Sequence, residues 1–525
     1  MSNGIKSAFI LTFGMVVSKA IGVFYRIPLA NILGAEGIGL YQLVFSVYGL
    51  VVTIIGSGLP IAVSRLTAEC VAKGKSSKEV LFPSCLLGLI IGLFFAVLIF
   101  FMQNILGKLQ GNMQVSGGYL VIAPAIFFVS GLAVLKGYFQ GKIYMFPTSI
   151  SYIIEQIIKL LVGLTLAIYL AKYGVYYAFL GSLFGVTVAE FTAFITLFFI
   201  YLRHRENDKI QIDYKAQFIK IAKISLPITI GSMLIPLSQF FDSFIVINIL
   251  ESNNFSNATA MYGLYSGSVT PIVNMPIMLV LSLAMIIVPV VSKDRINCDY
   301  TSILLKSELS IKLCFLLGIP SSILLFIYAK PLLQLVYPNF STLEISVSSN
   351  LLQIAVFSIV FYGTMQIETS LMQGLDKIYV PIKNLFIALL IKELCCITLV
   401  NLLGIEGLAI ATVILSVVAC LLNSISYHKI LGANFNLLKS IILIVLSALV
   451  FLGVTLFAKY YIFNDILGFL VACTIGGSIY YILIRNNNLL SRAELKSLGV
   501  KTKEKGFLRG LNRSKYDYSS RCRKK

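Results

Sequence analysis

Apolar residues run through this chain in blocks of 20 to 30, separated by short polar connections. The blocks lack the two-residue alternation of a half-buried strand. They also exceed the narrow apolar stripe of a soluble amphipathic helix. A bilayer core about 30 Å thick is crossed by about 20 largely apolar helical residues. On that measure the pattern predicts fourteen spans, at 8–33, 41–66, 80–104, 117–138, 147–171, 176–202, 218–250, 260–291, 307–329, 348–372, 381–403, 406–429, 437–459 and 463–485. The first apolar block continues past Lys19 toward Arg26 with no small-residue cleavage motif, which argues against a cleavable signal. The expectation is an all-α polytopic membrane protein.

Composition agrees, with 58% hydrophobic and only 12% charged residues over 525 positions. Nine cysteines form no CxxC and fall mostly inside apolar blocks, where they act as small hydrophobes. With two histidines, His204 and His428, at span ends, a histidine-based metalloenzyme is disfavoured, and no nucleophile–base constellation is visible. The expectation is a protein with no enzymatic activity and no cofactor beyond a candidate coupling cation or proton.

Charge then sets orientation. If the N-terminus is cytoplasmic, the connections on that side carry nineteen Lys/Arg, from Arg65 to Lys439 and including Lys136, against four on the other side: Lys108, Lys172, Lys330 and Lys459. By the positive-inside rule both termini face the cytoplasm. Residues 485–525 hold thirteen Lys/Arg and three acids. This basic tail reads as a stop signal that touches anionic membrane lipids rather than nucleic acid.

Two stretches repeat. QGKIYMFPTSISYIIEQIIKLLVG begins at Gln140 and QGLDKIYVPIKNLFIALLIKELCC at Gln373; Lys159 maps to Lys392. GLYQLVFSVYG before PIAVSR, at 39–65, likewise matches GLYSGSVTP before PVVSK, at 263–293. Two pseudo-symmetric six-helix bundles in the same membrane orientation follow, at 1–205 and 206–430, with two additional helices at 431–485 and a tail at 486–525. Parallel repeats of this kind place a transport site near the midplane.

Charges inside the spans sharpen the picture. An ionised side chain at the bilayer centre costs about 2.5–3.5 kcal/mol on insertion scales, so those present are functional candidates. Lys19 and Arg26 are seven residues apart, nearly on one helix face and about 10 Å apart along the axis, with Gly22 between them. Glu155 and Lys159 form an i,i+4 pair. Glu190 and Asp242 are lone carboxylates. Lys19, Arg26, Lys159 and Lys392 are candidate substrate-binding cations for an anionic headgroup. Glu155, Glu190 and Asp242 are candidate coupling or cavity acids.

SKAIGVFYRIPLANILGAEGIGLYQ (18–42), GSGLPIAVSRLTAE (56–69) and GYFQGKIYMFPTSISYIIEQIIK (137–159) together resemble a known family. It is the stage V sporulation protein B and polysaccharide-biosynthesis branch of the multidrug/oligosaccharidyl-lipid/polysaccharide exporter superfamily, related to MurJ-type lipid II flippases. SKAIG stands against a Ser-Arg-x-x-Gly pattern, which puts Lys19 at a basic position of the first span and Arg26 at the next, one residue displaced. The essential basic residues that MurJ-type proteins carry in the second and eighth spans have no counterpart here: 41–64 and 261–292 are uncharged. Lys159 and Lys392 are the candidates to replace them. The resemblance implies an alternating-access flippase in the bacterial cell membrane. Its cargo would be a polyprenyl-diphosphate-linked saccharide such as lipid II, for spore cortex or cell wall, with a groove for the lipid tail in the last two spans. Two alternatives stay open: an ion-coupled drug exporter of the same fold, and a non-transporting scaffold that recruits cell-wall synthesis enzymes.

The orientation is testable by labelling single cysteines in a cysteine-free background. A cysteine at position 253 should react with an impermeant reagent from outside, and one at 208 only after the membrane is opened.

Overall fold

The computed structural model describes residues 2–204, 213–255, 257–431, 437–462, 464–487 and 489. Position 208 and the basic tail beyond 489 lie outside the described residues. In chain order the helices are α1 (Ser2–Gly56), α2 (Gly58–Ala72), α3 (Lys78–Leu109), α4 (Val115–Gly141), α5 (Phe146–Ile158), α6 (Leu164–Leu170), α7 (Val175–Arg203) and α8 (Tyr214–Ser252). They continue as α9 (Ala258–Gly263), α10 (Thr270–Ile296), α11 (Tyr300–Ile327), α12 (Ala329–Val336), α13 (Thr342–Ala355) and α14 (Ser358–Gly374). The last are α15 (Tyr379–Leu403), α16 (Ile405–Leu431), α17 (Leu437–Tyr461), α18 (Asp465–Val471) and α19 (Gly477–Asn486). Short π-turns at Lys159–Gly163, Leu264–Val269 and Ala472–Gly476 join α5 to α6, α9 to α10 and α18 to α19. The described residues form no strand, so the all-α expectation holds.

Twelve segments are long and apolar enough to cross a membrane, or thirteen if the bent pair α13 and α14 counts as one. The expected number of fourteen is therefore not reproduced as separate segments. The first, Phe13–Ala72, has 60 residues and covers both of the first two predicted spans. At 1.5 Å per residue that is about 90 Å of helix, far more than one bilayer. Gly34 breaks it with φ 65° and ψ −174°, a conformation that favours glycine.

The outer faces are apolar. On α3 the exposed residues Leu86, Leu89, Ile90, Leu93, Phe94, Val97 and Phe101 repeat at helical spacing. Ile442, Val445, Leu446, Leu449 and Val450 do the same on α17. Such stripes are costly in water and favourable against lipid tails. With the family comparisons given below, they make this a multi-pass membrane protein. Pro28, Pro83, Pro124, Pro227, Pro236 and Pro320 sit inside helices, as is tolerated where neighbouring helices cover the freed carbonyls.

The chain divides into two compact units: Met1–Pro271 with Val336–Ile345 and Cys396–Leu408, and Ile272–Leu335 with Ser346–Cys395 and Ala409–Lys525. This division follows compactness, whereas the expected boundaries at 205 and 430 follow the repeat. In the first unit a buried polar pin ties four helices. Gln110 donates to the Leu43 carbonyl and to Ser243 Oγ, both at 3.1 Å, and accepts from Tyr119 Oη at 2.7 Å. In the second unit Asn384 donates to Asn423 Oδ1 at 3.0 Å and Asn423 to Thr369 Oγ1 at 3.0 Å, joining α15, α16 and α14. Asp299 caps α11: the Thr301 hydroxyl and the Ser302 amide hold its carboxyl below the usual carboxylate range. A group shifted that way stabilises the fold above that range and loses its contribution as pH falls through it.

The repeat survives in the backbone. After α4, Ile143 N–H bonds to the Gln140 carbonyl and Tyr144 N–H to that of Phe139, both at 3.0 Å. After α14, Asp376 N–H bonds to Gln373 and Lys377 N–H to Met372, both at 2.9 Å. Each is a Schellman helix ending, with φ 59° at Ile143 and 64° at Asp376. The turns, the helix ends at Gly141 and Gly374, and the restarts at Phe146 and Tyr379 all keep one offset, from 143 to 376. Lys159 and Lys392 share it, but the two KIY triplets do not: Tyr144 corresponds to Lys377 rather than to Tyr379. The other pair behaves likewise. Gly74 and Cys298 occupy matching left-handed turns, at the same offset as Gly39 and Gly263, which leaves Pro60 and Pro289 out of register.

Close backbone contacts fix the first unit. A Cβ at Gly185 would lie 2.2 Å from Gly163 Cα, where α7 crosses the π-turn. Gly185→Val should therefore destabilise the protein by about 1–3 kcal/mol, seen as a lower midpoint of thermal unfolding in detergent. Gly477→Ala, where the added methyl meets nothing within 4 Å, should leave the midpoint nearly unchanged.

Candidate functional site

The amphipathic start of α5 buries Pro147, Thr148, Ser149 and Ser151 and leaves its later polar residues half-buried. Small residues let α1 approach it. Ser149 Oγ donates to the Ile10 carbonyl at 3.0 Å, and a Cβ at Gly14 would fall 1.9 Å from that oxygen. Two turns later Gly22 faces the same helix, with Gln156 Oε1 3.2 Å from where a Cβ would stand. Lys19 and Arg26 flank Gly22 on that face of α1.

Glu155 is the centre of what this packing assembles. Its Oε2 lies 3.7 Å from Lys136 Nζ and its Oε1 3.7 Å from Lys159 Nζ. Gln156 Nε2 donates to the same Oε1 at 3.0 Å. Lys136 Nζ also sits 3.9 Å over the centre of the Tyr152 ring, a contact that lowers the cost of placing an ammonium among apolar groups. The side chains of Lys136, Glu155 and Lys159 keep only 10%, 14% and 12% of their surface exposed. Lys159 opens the π-turn that ends at Gly163. Such turns are frequent at functional sites because they displace the side chains that follow.

The sequence-predicted residues divide as follows. Lys19 is exposed and Arg26 half-buried, and among the described residues neither has a carboxylate within ion-pair distance. Glu155 and Lys159 pair as expected. Glu190, on α7, is 5% exposed and accepts from Tyr48 Oη at 3.2 Å, outside ion-pair reach of either lysine. Asp242, on α8, is 8% exposed and accepts from Cys396 Sγ at 3.9 Å. Lys392 belongs to the second unit, where it is 1% exposed and donates to Glu393 Oε1 at 3.1 Å.

Lys136 was missed. Read as a connection charge, it lies instead within α4, five residues before its end, and is 8% exposed. A Cβ at its neighbour Gly137 would meet the Pro60 carbonyl at 2.6 Å, so α4 is pressed onto α2 here. The signal available in the sequence was the apolar stretch on both sides of Lys136, which is unusual for a loop cation.

In the second unit an apolar cleft of about 460 Å³ lies between α11, α14 and α17, lined by Phe315, Ile319, Phe326, Phe357, Phe361 and Leu452 among others. A polar cavity of about 390 Å³ lies at the turn after α14, beside the Arg295–Asp376 ion pair of 3.3 Å.

The chain is 26% identical to "Stage V sporulation protein B" of Bacillus subtilis (strain 168), over 94% of this chain and 98% of that one. It is 20% identical to "Lipid II flippase MurJ" of the same organism, over 91% and 94% respectively. Among solved structures, "Lipid II flippase MurJ, inward closed conformation" superposes with a TM-score of 0.71 at 18% identity, covering 92% of this chain and 99% of that one. An inward-facing multidrug resistance MATE family transporter of the MOP superfamily gives 0.63 at 14% identity, covering 79% and 94%. These likenesses show the fold. The family described as "Polysaccharide biosynthesis protein" matches residues 5–294, more than half of the chain, and the chain belongs to that family.

Proposed function

We propose that the chain is a membrane flippase for a polyprenyl-diphosphate-linked saccharide, most concretely a peptidoglycan precursor such as lipid II, serving spore cortex or cell-wall synthesis. The observation that carries the reading is the buried Lys136–Glu155–Lys159 cluster, whose Gln156 borders Gly22 of α1, the helix that bears Lys19 and Arg26, in a membrane-embedded helical unit. An isolated hydrophobic cation would find little there, whereas a diphosphate would find donors. The near full-length similarity to proteins named for lipid II flipping and for sporulation supports the same cargo class. The apolar cleft lined in part by α17 supports a resting place for the polyprenyl tail. The headgroup would cross by alternating access while the tail stays in lipid, driven by a coupling cation or proton. Both termini would face the cytoplasm. Lys392 would serve the second unit as Lys159 serves the first.

One observation favours a second reading. Glu190 and Asp242 are buried acids in the first unit, and a MATE transporter shares the fold. That suits an ion-coupled drug exporter.

Reconstitution into liposomes with labelled lipid II and undecaprenyl-diphosphate analogues tests the reading. Lys19→Arg should retain partial flipping and Lys19→Met should lose it. Arg26→Lys should be worse than Lys19→Arg, because a guanidinium binds two phosphate oxygens at once. Each lost charge-assisted contact should weaken headgroup binding by about 1.5–3 kcal/mol, roughly ten- to a hundredfold. Normal flipping by well-folded Lys19→Met and Arg26→Met proteins would refute the headgroup site. Export of cationic dyes abolished by Glu190→Gln would favour the drug exporter. Deleting residues 490–525 should leave flipping in liposomes intact, whereas a scaffold would lose its role in cells.

A further inference from the structure

The two lysines at Glu155 are held loosely. A charge-assisted N–H···O contact is about 2.7–2.9 Å long, yet both ammonium groups stand 3.7 Å from the carboxylate. Among the described residues neither Lys136 nor Lys159 donates a hydrogen bond within 3.5 Å; Lys136 has only the Tyr152 ring besides. Two largely buried lysines thus share one carboxylate, one on each of its oxygens, at more than hydrogen-bond length. That is the geometry of a pair of cations awaiting a second, better-fitting oxyanion.

The geometry points to Glu155 as an internal substitute for a substrate phosphate. The headgroup displaces it, and Lys136 and Lys159 pass from the carboxylate to the phosphate oxygens. Gln156 Nε2, already 3.0 Å from Glu155 Oε1, keeps a donor on the displaced carboxylate. Gln156 also borders Gly22 and so joins this pair of lysines to the face bearing Lys19 and Arg26. Formal charge supports the match. Once Glu155 is displaced, Lys136 and Lys159 together offer two positive charges. A diphosphate diester carries two negative ones. Glu155 has a second consequence: without it, four cations would hold a diphosphate too tightly to release. A competing carboxylate keeps binding reversible, as transport requires. Lys136, absent from the sequence-level candidates, becomes a binding residue of equal rank with Lys159.

This inference rests on the flippase reading and is tested by equilibrium binding to the full-length protein in detergent. The probes are undecaprenyl diphosphate, undecaprenol as the phosphate-free lipid, and inorganic pyrophosphate as competitor. Glu155→Gln, nearly isosteric, should bind undecaprenyl diphosphate about tenfold tighter or more, and pyrophosphate should compete at correspondingly lower concentration. Lys136→Met should weaken diphosphate binding about ten- to a hundredfold, and Lys136→Met should cancel the gain of Glu155→Gln in the double variant. Lys136→Arg, which keeps the charge, should bind nearly as wild type and guards against a folding defect in Lys136→Met. Undecaprenol binding should not respond to any of them. If Glu155→Gln binds the diphosphate no tighter than wild type, or Lys136→Met binds it equally well, while Lys19→Met still weakens it, the substitute-phosphate role falls and the flippase reading stands. If the wild-type protein does not prefer undecaprenyl diphosphate to undecaprenol, both fall.

Discussion

An ammonium or guanidinium group in a bilayer is tolerated only where protein, water or a counter-charge takes the place of bulk solvent. This requirement orders the first unit. Four of its helices and one π-turn contribute to the surroundings of Glu155 and Glu190: α1 with Gly22 and Tyr48, α4 with Lys136, α5 with Glu155 and Gln156, the π-turn with Lys159, α7 with Glu190. The glycines at 14, 22, 163 and 185 let these backbones come close enough for side chains to reach one another. Packing and charge placement are one problem here. Without the close crossings the lysines would lack a partner, and without the partner they would be expelled toward the interface.

The same physics separates this cluster from the hydroxyl- and amide-based pins elsewhere. Gln110 bonds Tyr119 and Ser243 at 2.7 and 3.1 Å, and in the second unit Asn423 joins Asn384 and Thr369 at 3.0 Å each. Neutral networks of that quality hold helices in register. The Glu155 cluster is built of full charges at longer range.

The sequence made the membrane class legible because apolar length is a direct measure of bilayer thickness and depends on no tertiary contact. The Glu155–Lys159 pair was legible for a similar reason, since residues four apart meet on any helix. The face shared by Lys19, Gly22 and Arg26 followed from helical periodicity alone. Lys136 did not, because its role depends on which helix packs against α5, and a single sequence does not state that. The first two predicted spans, 8–33 and 41–66, fall on either side of the break at Gly34, which interrupts the helix without interrupting the apolar run. Counterparts between the repeats were half right. The Lys159–Lys392 match keeps the backbone offset, whereas the eye-catching KIY triplets sit two residues out of step.

The paired helix endings at 143 and 376 show how such an offset is preserved. One half places isoleucine at the left-handed position and the other aspartate, residues with opposite preferences there. Nothing in either side chain writes the turn; the closing hydrogen bonds to the carbonyls of residues 139, 140, 372 and 373 do. The likeness of the two endings is thus carried by backbone donors that every amino acid except proline supplies, and it constrains the side chains above them little.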